Sequence, residues 1–203
     1  MMIAALYIDS RGPYPAMSGV ECWDAERDAR LYVGPYPVVA HPPCGPWGAL
    51  RHLTTPGAKR AMDADCGPRA VEQVRQFGGV LEQPAGSRLW GHCGLPMTDV
   101  DAFGGFSLAV EQVAWGHVAR KKTWPYLVGI DRALAVRGVL SGGTPTHWVS
   151  GGRNQMRKNG RAGGGVVPAG IKVCSAQQRR RTPPAFAEWL VSLARSVRAQ
   201  EVA

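Results

Sequence analysis

The chain has no CxxC pair, and its cysteines number five, an odd count spread over Cys22, Cys44, Cys66, Cys93 and Cys174. That arithmetic gives poor support to a disulfide scaffold or a zinc ribbon. No apolar run approaches 18 residues, so no membrane span is expected. Met1 to Asp9 lacks a basic region and a cleavage pattern, so no secretory signal is read there. These absences predict a soluble protein of a reducing, cytoplasmic compartment. No His or Cys pair has the spacing of a recurrent metal motif, and no metal is expected. Acidic residues are scarce: 15 Asp and Glu face 24 Lys and Arg, giving a net charge of +9. Between Arg132 and Ala187 there is no acidic residue at all, against ten basic ones. That imbalance points to a polyanionic partner.

What is present suffices for a core. The 203 residues are 45% hydrophobic and 19% charged, which fits one domain over residues 1–203. Twenty-six glycines and 16 prolines argue against a helical bundle. Ile3–Ile8, Val20–Trp23 and Pro37–Ala40 read as short strands. Pro68 to Phe77 reads as a helix opened by its proline, with Val71, Val74 and Phe77 on one face and Gly78-Gly79 as its stop. Val80-Leu81-Glu82 then reads as a buried strand cut by Pro84, and Tyr126–Ile130 as another. Strand, helix and strand in succession predict an α/β fold with a mostly parallel sheet and crossover helices. Residues 141–181 read as a basic, Gly-rich insertion before a last helix, capped by Thr182, opened by Pro183 and lined by Phe186, Leu190, Leu193 and Val197.

Cys44 follows a strand in a loop stiffened by Pro42, Pro43 and Pro46. Loops at the carboxyl ends of parallel strands are where such sheets hold ligands. The thiol reads as a nucleophile or, more plainly, as a small apolar core residue. Glu82 ends the next strand, where its carboxylate can serve a substrate base or pair with an arginine. Arg120-Lys121-Lys122 is a cationic cluster suited to phosphate or carboxylate, or a solvated surface run. Trp47, Trp115 and Trp124 flank these positions and can stack on a base or fill the core.

In order, these segments resemble blocks of the DNA cytosine-5 methyltransferase family. VVAHPPCGPWG (Val38 to Gly48) resembles the family's Pro-Cys loop and VLEQP (Val80 to Pro84) its Glu-Asn-Val strand end. WGHVARKKTWPYLVG (Trp115 to Gly129) resembles its paired-arginine block, and RRRTPPAFAEWLVSLA (Arg179 to Ala194) its closing helix. The form is similar to short proteins of phages and prophages, which implies a site of action in the bacterial cytoplasm. The resemblance implies a trimmed Rossmann-like, methyltransferase-like sheet acting on a base flipped from double-stranded DNA. It implies Cys44 as the nucleophile on C6, Glu82 at the N3 edge, and Arg120 and Lys122 in place of the paired arginines. The basic segment, Arg153, Arg157, Lys158, Arg161, Arg179, Arg180 and Arg181, would grip DNA. S-adenosylmethionine would be the donor, met by Asp9, Gly12, Asp24 and Pro42. The sequence departs from the family at that cofactor: DSRGPYP (Asp9 to Pro15) holds one glycine where the family has a glycine loop. DAFGGFSLAVEQ (Asp101 to Gln112) looks like the missing block but lies out of order, and is expected to be a decoy. Two alternatives stay open: another donor or a free nucleotide on the same fold, and a non-catalytic nucleic-acid-binding protein.

Overall fold

The computed structural model describes residues 1–49, 51, 57–149, 161–162, 165–167 and 169–197. The chain forms an α/β structure around a seven-stranded mixed sheet. The strands are β1 (Ile3–Leu6), β2 (Val20–Trp23), β3 (Val38–Ala40), β4 (Gly79–Pro84), β5 (Phe106–Ser107), β6 (Val110–Glu111) and β7 (Lys122–Val128). Their order is β2-β1-β3-β4-β7-β5, with β6 also on β7. The β2-β1, β1-β3 and β3-β4 pairings are parallel. The three pairings of β7 are antiparallel. The sheet is therefore mixed rather than mostly parallel. A single reversed strand, inserted between β4 and β5, accounts for every antiparallel pairing in this sheet.

Alternation along the strands sends side chains into two cores. Ile3, Ala5, Val39, Val80 and Leu127 face one side. There they meet Phe186, Leu190, Leu193 and Ala194 of the last long helix, α5 (Pro184–Arg195). Ala4, Leu6, Val38, Ala40, Leu81, Tyr126 and Val128 face the other, against Ala70, Val71 and Val74 of α1 (Ala58–Phe77). Burial on both faces explains why these strands read as continuous apolar runs. Trp115, Phe186 and Trp189 stack at 4.9–5.5 Å and tie α5 to the 3-10 turn Gln112–Trp115. The remaining elements are α2 (Leu89–Cys93), α3 (Arg132–Arg137), the parallel pair β8 (His147–Trp148) and β11 (Lys172–Val173), the hairpin β9 (Arg161–Ala162) and β10 (Gly165–Val166), and α4 (Ala176–Arg180). Among the described residues no helix is long and apolar enough to cross a membrane.

Two helix boundaries differ from the sequence reading. Thr182 does not cap the last helix; Pro183 holds the N-cap position and Pro184 begins it. Pro68 does not open α1 but lies inside it, ten residues from its start. A proline there removes the N–H that would bond the carbonyl four residues back, that of Ala64. The Trp47 indole N–H takes over, donating to Ala64 O at 3.2 Å. Gly67 makes room for the ring, since a Cβ there would lie 2.6 Å from Trp47 Nε1 and 2.9 Å from Leu89 Cδ1. Glycine at 79 has a different cause: with φ +121, its Cβ would meet Val38 O at 1.9 Å, so β3 and β4 could not pair. The Gly67-Pro68 notch thus seats Trp47, and with it the loop that carries Cys44.

Gly67→Ala tests this notch by its sign. In an ordinary helix interior the change stabilises by about 1 kcal/mol. Overpacking against a held ring costs about 1–3 kcal/mol. We expect net destabilisation in urea unfolding; a more stable variant would show that Trp47 is not seated there.

Candidate functional site

The loop after β3 is pinned from three sides. His41 N–H donates to Leu6 O at 3.0 Å, extending the β1–β3 ladder by one bond. Gln83 Nε2 donates to Pro42 O at 2.5 Å. Arg88 N–H donates to Trp47 O at 2.9 Å, while Trp47 itself reaches α1. Within the loop, Trp47 and Gly48 N–H both donate to Cys44 O, closing a tight turn. Prolines at 42, 43 and 46 have no N–H to donate, so these few bonds define the loop's shape. Cys44 is exposed, not packed beneath Trp47 as a core cysteine would be.

Glu82, at the carboxyl end of β4, is 6% exposed. Its Oε2 accepts from His41 Nδ1 at 3.0 Å and its Oε1 from Gln112 Nε2 at 3.1 Å. Lys121 Nζ lies 4.0 Å from Oε1. Gln112 Nε2 also donates to Thr123 Oγ1 at 3.0 Å, and Thr123 Oγ1 donates to Lys121 O. A carboxylate only accepts, so the proton on Nδ1 of His41 is fixed. The other face of the ring meets Tyr14: its hydroxyl lies 2.5 Å from Nε2. Tyr14 is buried, and that burial, with the Glu82 and Cys22 charges, holds its pKa well above the ordinary value. It therefore stays protonated. Residues from the loop after β1, the ends of β3 and β4, the 3-10 turn at Gln112 and the start of β7 thus meet around one buried carboxylate.

Two titrations follow from this packing. Burial alone would raise Glu82, but Lys121, the His41 hydrogen bond and charge, and Thr123 outweigh it and hold the carboxyl at about 2. Cys44 moves the other way. Protein crowds the thiol enough that desolvation raises its pKa, and the Glu82 charge adds to this; Lys121 and Arg180 pull it down without cancelling the rise. The thiol therefore lies within the fields of Glu82, Lys121 and Arg180. Beside them, His117 donates from Nε2 to Gln178 O at 3.1 Å while Nδ1 accepts from Ala119 N–H. Burial lowers its pKa, so it remains a neutral tie between the β7 approach and α4.

The other sequence candidates are distributed as follows. Arg120 and Lys122 do not reach Glu82; Arg120 pairs with Glu111 at 3.0 Å and both side chains line an outer recess. Lys121 is the cation turned inward. Of the basic segment, Arg153, Arg157 and Lys158 lie outside the described residues, and Arg161 is described for its backbone alone. Arg180 reaches the Cys44 field, and Arg181 offers its carbonyl to Lys121 Nζ at 3.4 Å. Arg179 and Arg180 lie in the last turn of α4. The string from Asp101 to Gln112 forms β5, β6 and the turn after them, at the sheet edge away from β1. His41, Tyr14, Gln112 and Thr123 are the contributors that sequence reading missed.

The residues named for S-adenosylmethionine are placed as follows. The sheet order reverses between β1 and β3, the crevice where such sheets hold ligands. Here Tyr14 fills it, bonded to His41. Asp9 is exposed and paired with Arg11 at 3.0 Å. Asp24 Oδ1 is taken by the N–H groups of Glu26 and Arg27. Gly12 closes a turn onto Asp9 O, where a Cβ would come within 2.9 Å, and Pro42 is buried. Among the described residues no group of three or more His, Cys, Asp or Glu stands close enough to hold a metal ion.

Two outcomes check the electrostatics. The Glu82 carboxyl titrates near 2 in the folded protein against 4.5 ordinarily, so its contribution is present above pH 4.5 and lost as pH falls toward 2. The difference is of order 3 kcal/mol. Glu82→Gln should flatten that acid limb of the stability curve, and an unchanged limb in the variant would refute the assignment. Alkylation of Cys44 by iodoacetamide, followed by peptide mass spectrometry, should rise about tenfold per pH unit from pH 7 to 9. A plateau below pH 8 would contradict the raised thiol. Searches against protein-family models, curated proteins and solved structures find no match for the chain, so its function rests on the chemistry of this cluster.

Proposed function

We propose that the protein modifies a pyrimidine base of DNA through covalent attack by Cys44 on C6. One observation carries the reading: an exposed thiol after β3 shares its field with the ionised Glu82 at the end of β4 and with Lys121 and Arg180. Addition of a thiolate to C6 drives a pair of electrons into the ring, toward N3 and the carbonyl at C2. The cations Lys121 and Arg180 favour both the thiolate and the anionic adduct. Glu82, held ionised, can only accept. The base edge that meets it must therefore offer N–H, either the amino group of cytosine or N3–H of a uracil. The adduct is nucleophilic at C5 and takes an electrophilic carbon from a donor, whose leaving group departs with the electron pair of the bond that breaks. Loss of the C5 proton to water and expulsion of the Cys44 thiolate then restore the ring. Because a paired base hides C6, the target is flipped out of the duplex.

The trimmed methyltransferase-like fold belongs to the same proposal. Its support is the parallel run β2-β1-β3-β4, with Cys44 after its third member and Glu82 within its fourth. Arg179, Arg180 and Arg181 beside the site, within a stretch free of acidic residues, supply sequence-independent grip on phosphates. The filled crevice beside β1 favours a donor other than S-adenosylmethionine. It equally favours a second reading, a nucleic-acid-binding protein without catalysis.

A DNA oligonucleotide carrying 2-pyrimidinone, a base electrophilic at C6, separates the two. The enzyme reading expects a denaturant-stable adduct with the parent protein and none with Cys44→Ala. It also expects an altered nucleoside in DNA from cells producing the parent protein. No adduct together with an unchanged nucleoside profile leaves only the binding reading.

A further inference from the structure

The cationic pair that fails to reach Glu82 has a place of its own. β6 runs antiparallel to β7, with Glu111 opposite Lys122 and Val110 opposite Thr123. Beside this pair the chain leaves a recess of about 410 Å³, lined among others by Arg120, Lys122, Trp124, Leu140, Ser141 and Gly142. Its size falls in the range of small-molecule sites, about 300–1,000 Å³. Three features give it a chemical character. Glu111 neutralises Arg120 at 3.0 Å, while Lys122 is exposed and has no ion pair among the described residues, leaving one positive charge in excess. Trp124 is half-buried, and Trp90 supports it at a ring separation of 5.5 Å. Trp90 is itself anchored by its N–H to Ser107 Oγ at 2.9 Å, so the indole wall is held in place. Val139 and Leu140 supply apolar lining, and Leu140 is 50% exposed among the described residues.

We propose that this recess binds a nucleotide, its base against Trp124 and its phosphate on Lys122 and Arg120. A planar ring satisfies the indole and the aliphatic side together, and a phosphate answers the excess charge. A purely apolar ligand would leave the cations unanswered, and a bare anion would leave the indole and Leu140 wet. The site is separate from the Cys44 thiol. Thr123 lines the recess and also accepts from Gln112, which holds Glu82, so the two lie on either side of one strand. The nucleotide comes either free from solution or as a neighbour of the target in the strand.

Titration of the full chain with deoxycytidine monophosphate, deoxycytidine, inorganic phosphate and a single-stranded trinucleotide, followed by tryptophan fluorescence, tests the proposal. Saturable quenching is expected with the monophosphate, at least about tenfold tighter than with the nucleoside or phosphate alone. Lys122→Ala, an exposed substitution, should remove that tenfold advantage, and Trp124→Phe should remove most of the quenching. Cys44→Ala should leave both unchanged. Tighter binding of the trinucleotide than of the monophosphate assigns the site to a strand neighbour, and equal binding to a free nucleotide. Equal affinity for nucleotide and nucleoside, undiminished binding by Lys122→Ala, or loss of binding in Cys44→Ala would each overturn it.

Discussion

A carboxylate cannot be buried at the end of a strand unless its charge is answered, and in this protein most of the functional geometry is that answer. Glu82 gathers an imidazole from the end of β3, an amide from the turn after β6 and an ammonium from the approach to β7. Through His41 it also gathers a phenol from the loop after β1. Each partner comes from a different segment, so the carboxylate fixes how four strand ends stand relative to one another. Removing one partner would leave a buried charge uncompensated, a costlier defect than the loss of a single hydrogen bond.

The loop that carries Cys44 answers to a second constraint, set in α1. The proline that interrupts this helix orphans a carbonyl, and the indole of Trp47 takes it. A defect in secondary structure becomes an attachment point, with the adjoining glycine as clearance. The position of Cys44 therefore depends on a helix carrying none of the proposed catalytic groups, just as that of Glu82 depends on Gln112, which α5 braces through Trp115.

Some of this was legible in the residues. Val20–Trp23 matches β2 from end to end, and the apolar residues at 38–40 and 80–81 lie within β3 and β4 because strands buried on both faces are apolar along most of their length. The adjacency of Cys44 and Glu82 followed from placing those strands side by side. The helix start did not, because Pro68 read as an opening residue and the indole that permits it mid-helix is distant in sequence. Nor did the choice among Arg120, Lys121 and Lys122: three cations in a row show no facing, and β7 runs counter to its expected neighbours. Tyr14 lay in a stretch rich in turn residues, and its role appears only once β1 and β3 are paired.

The last helix covers a surface built much earlier in the chain. Ile3, Ala5, Val39, Val80 and Leu127 all come before residue 128, while their cover comes from residues 186–194. During synthesis on the ribosome, one apolar side of the sheet is complete some sixty residues before its lid exists. The acid-free stretch falls within that interval. A nascent chain in this state carries an open hydrophobic face next to a concentrated positive charge. That charge repels other copies of the same intermediate, and so guards against aggregation in the window where the fold is most vulnerable to it.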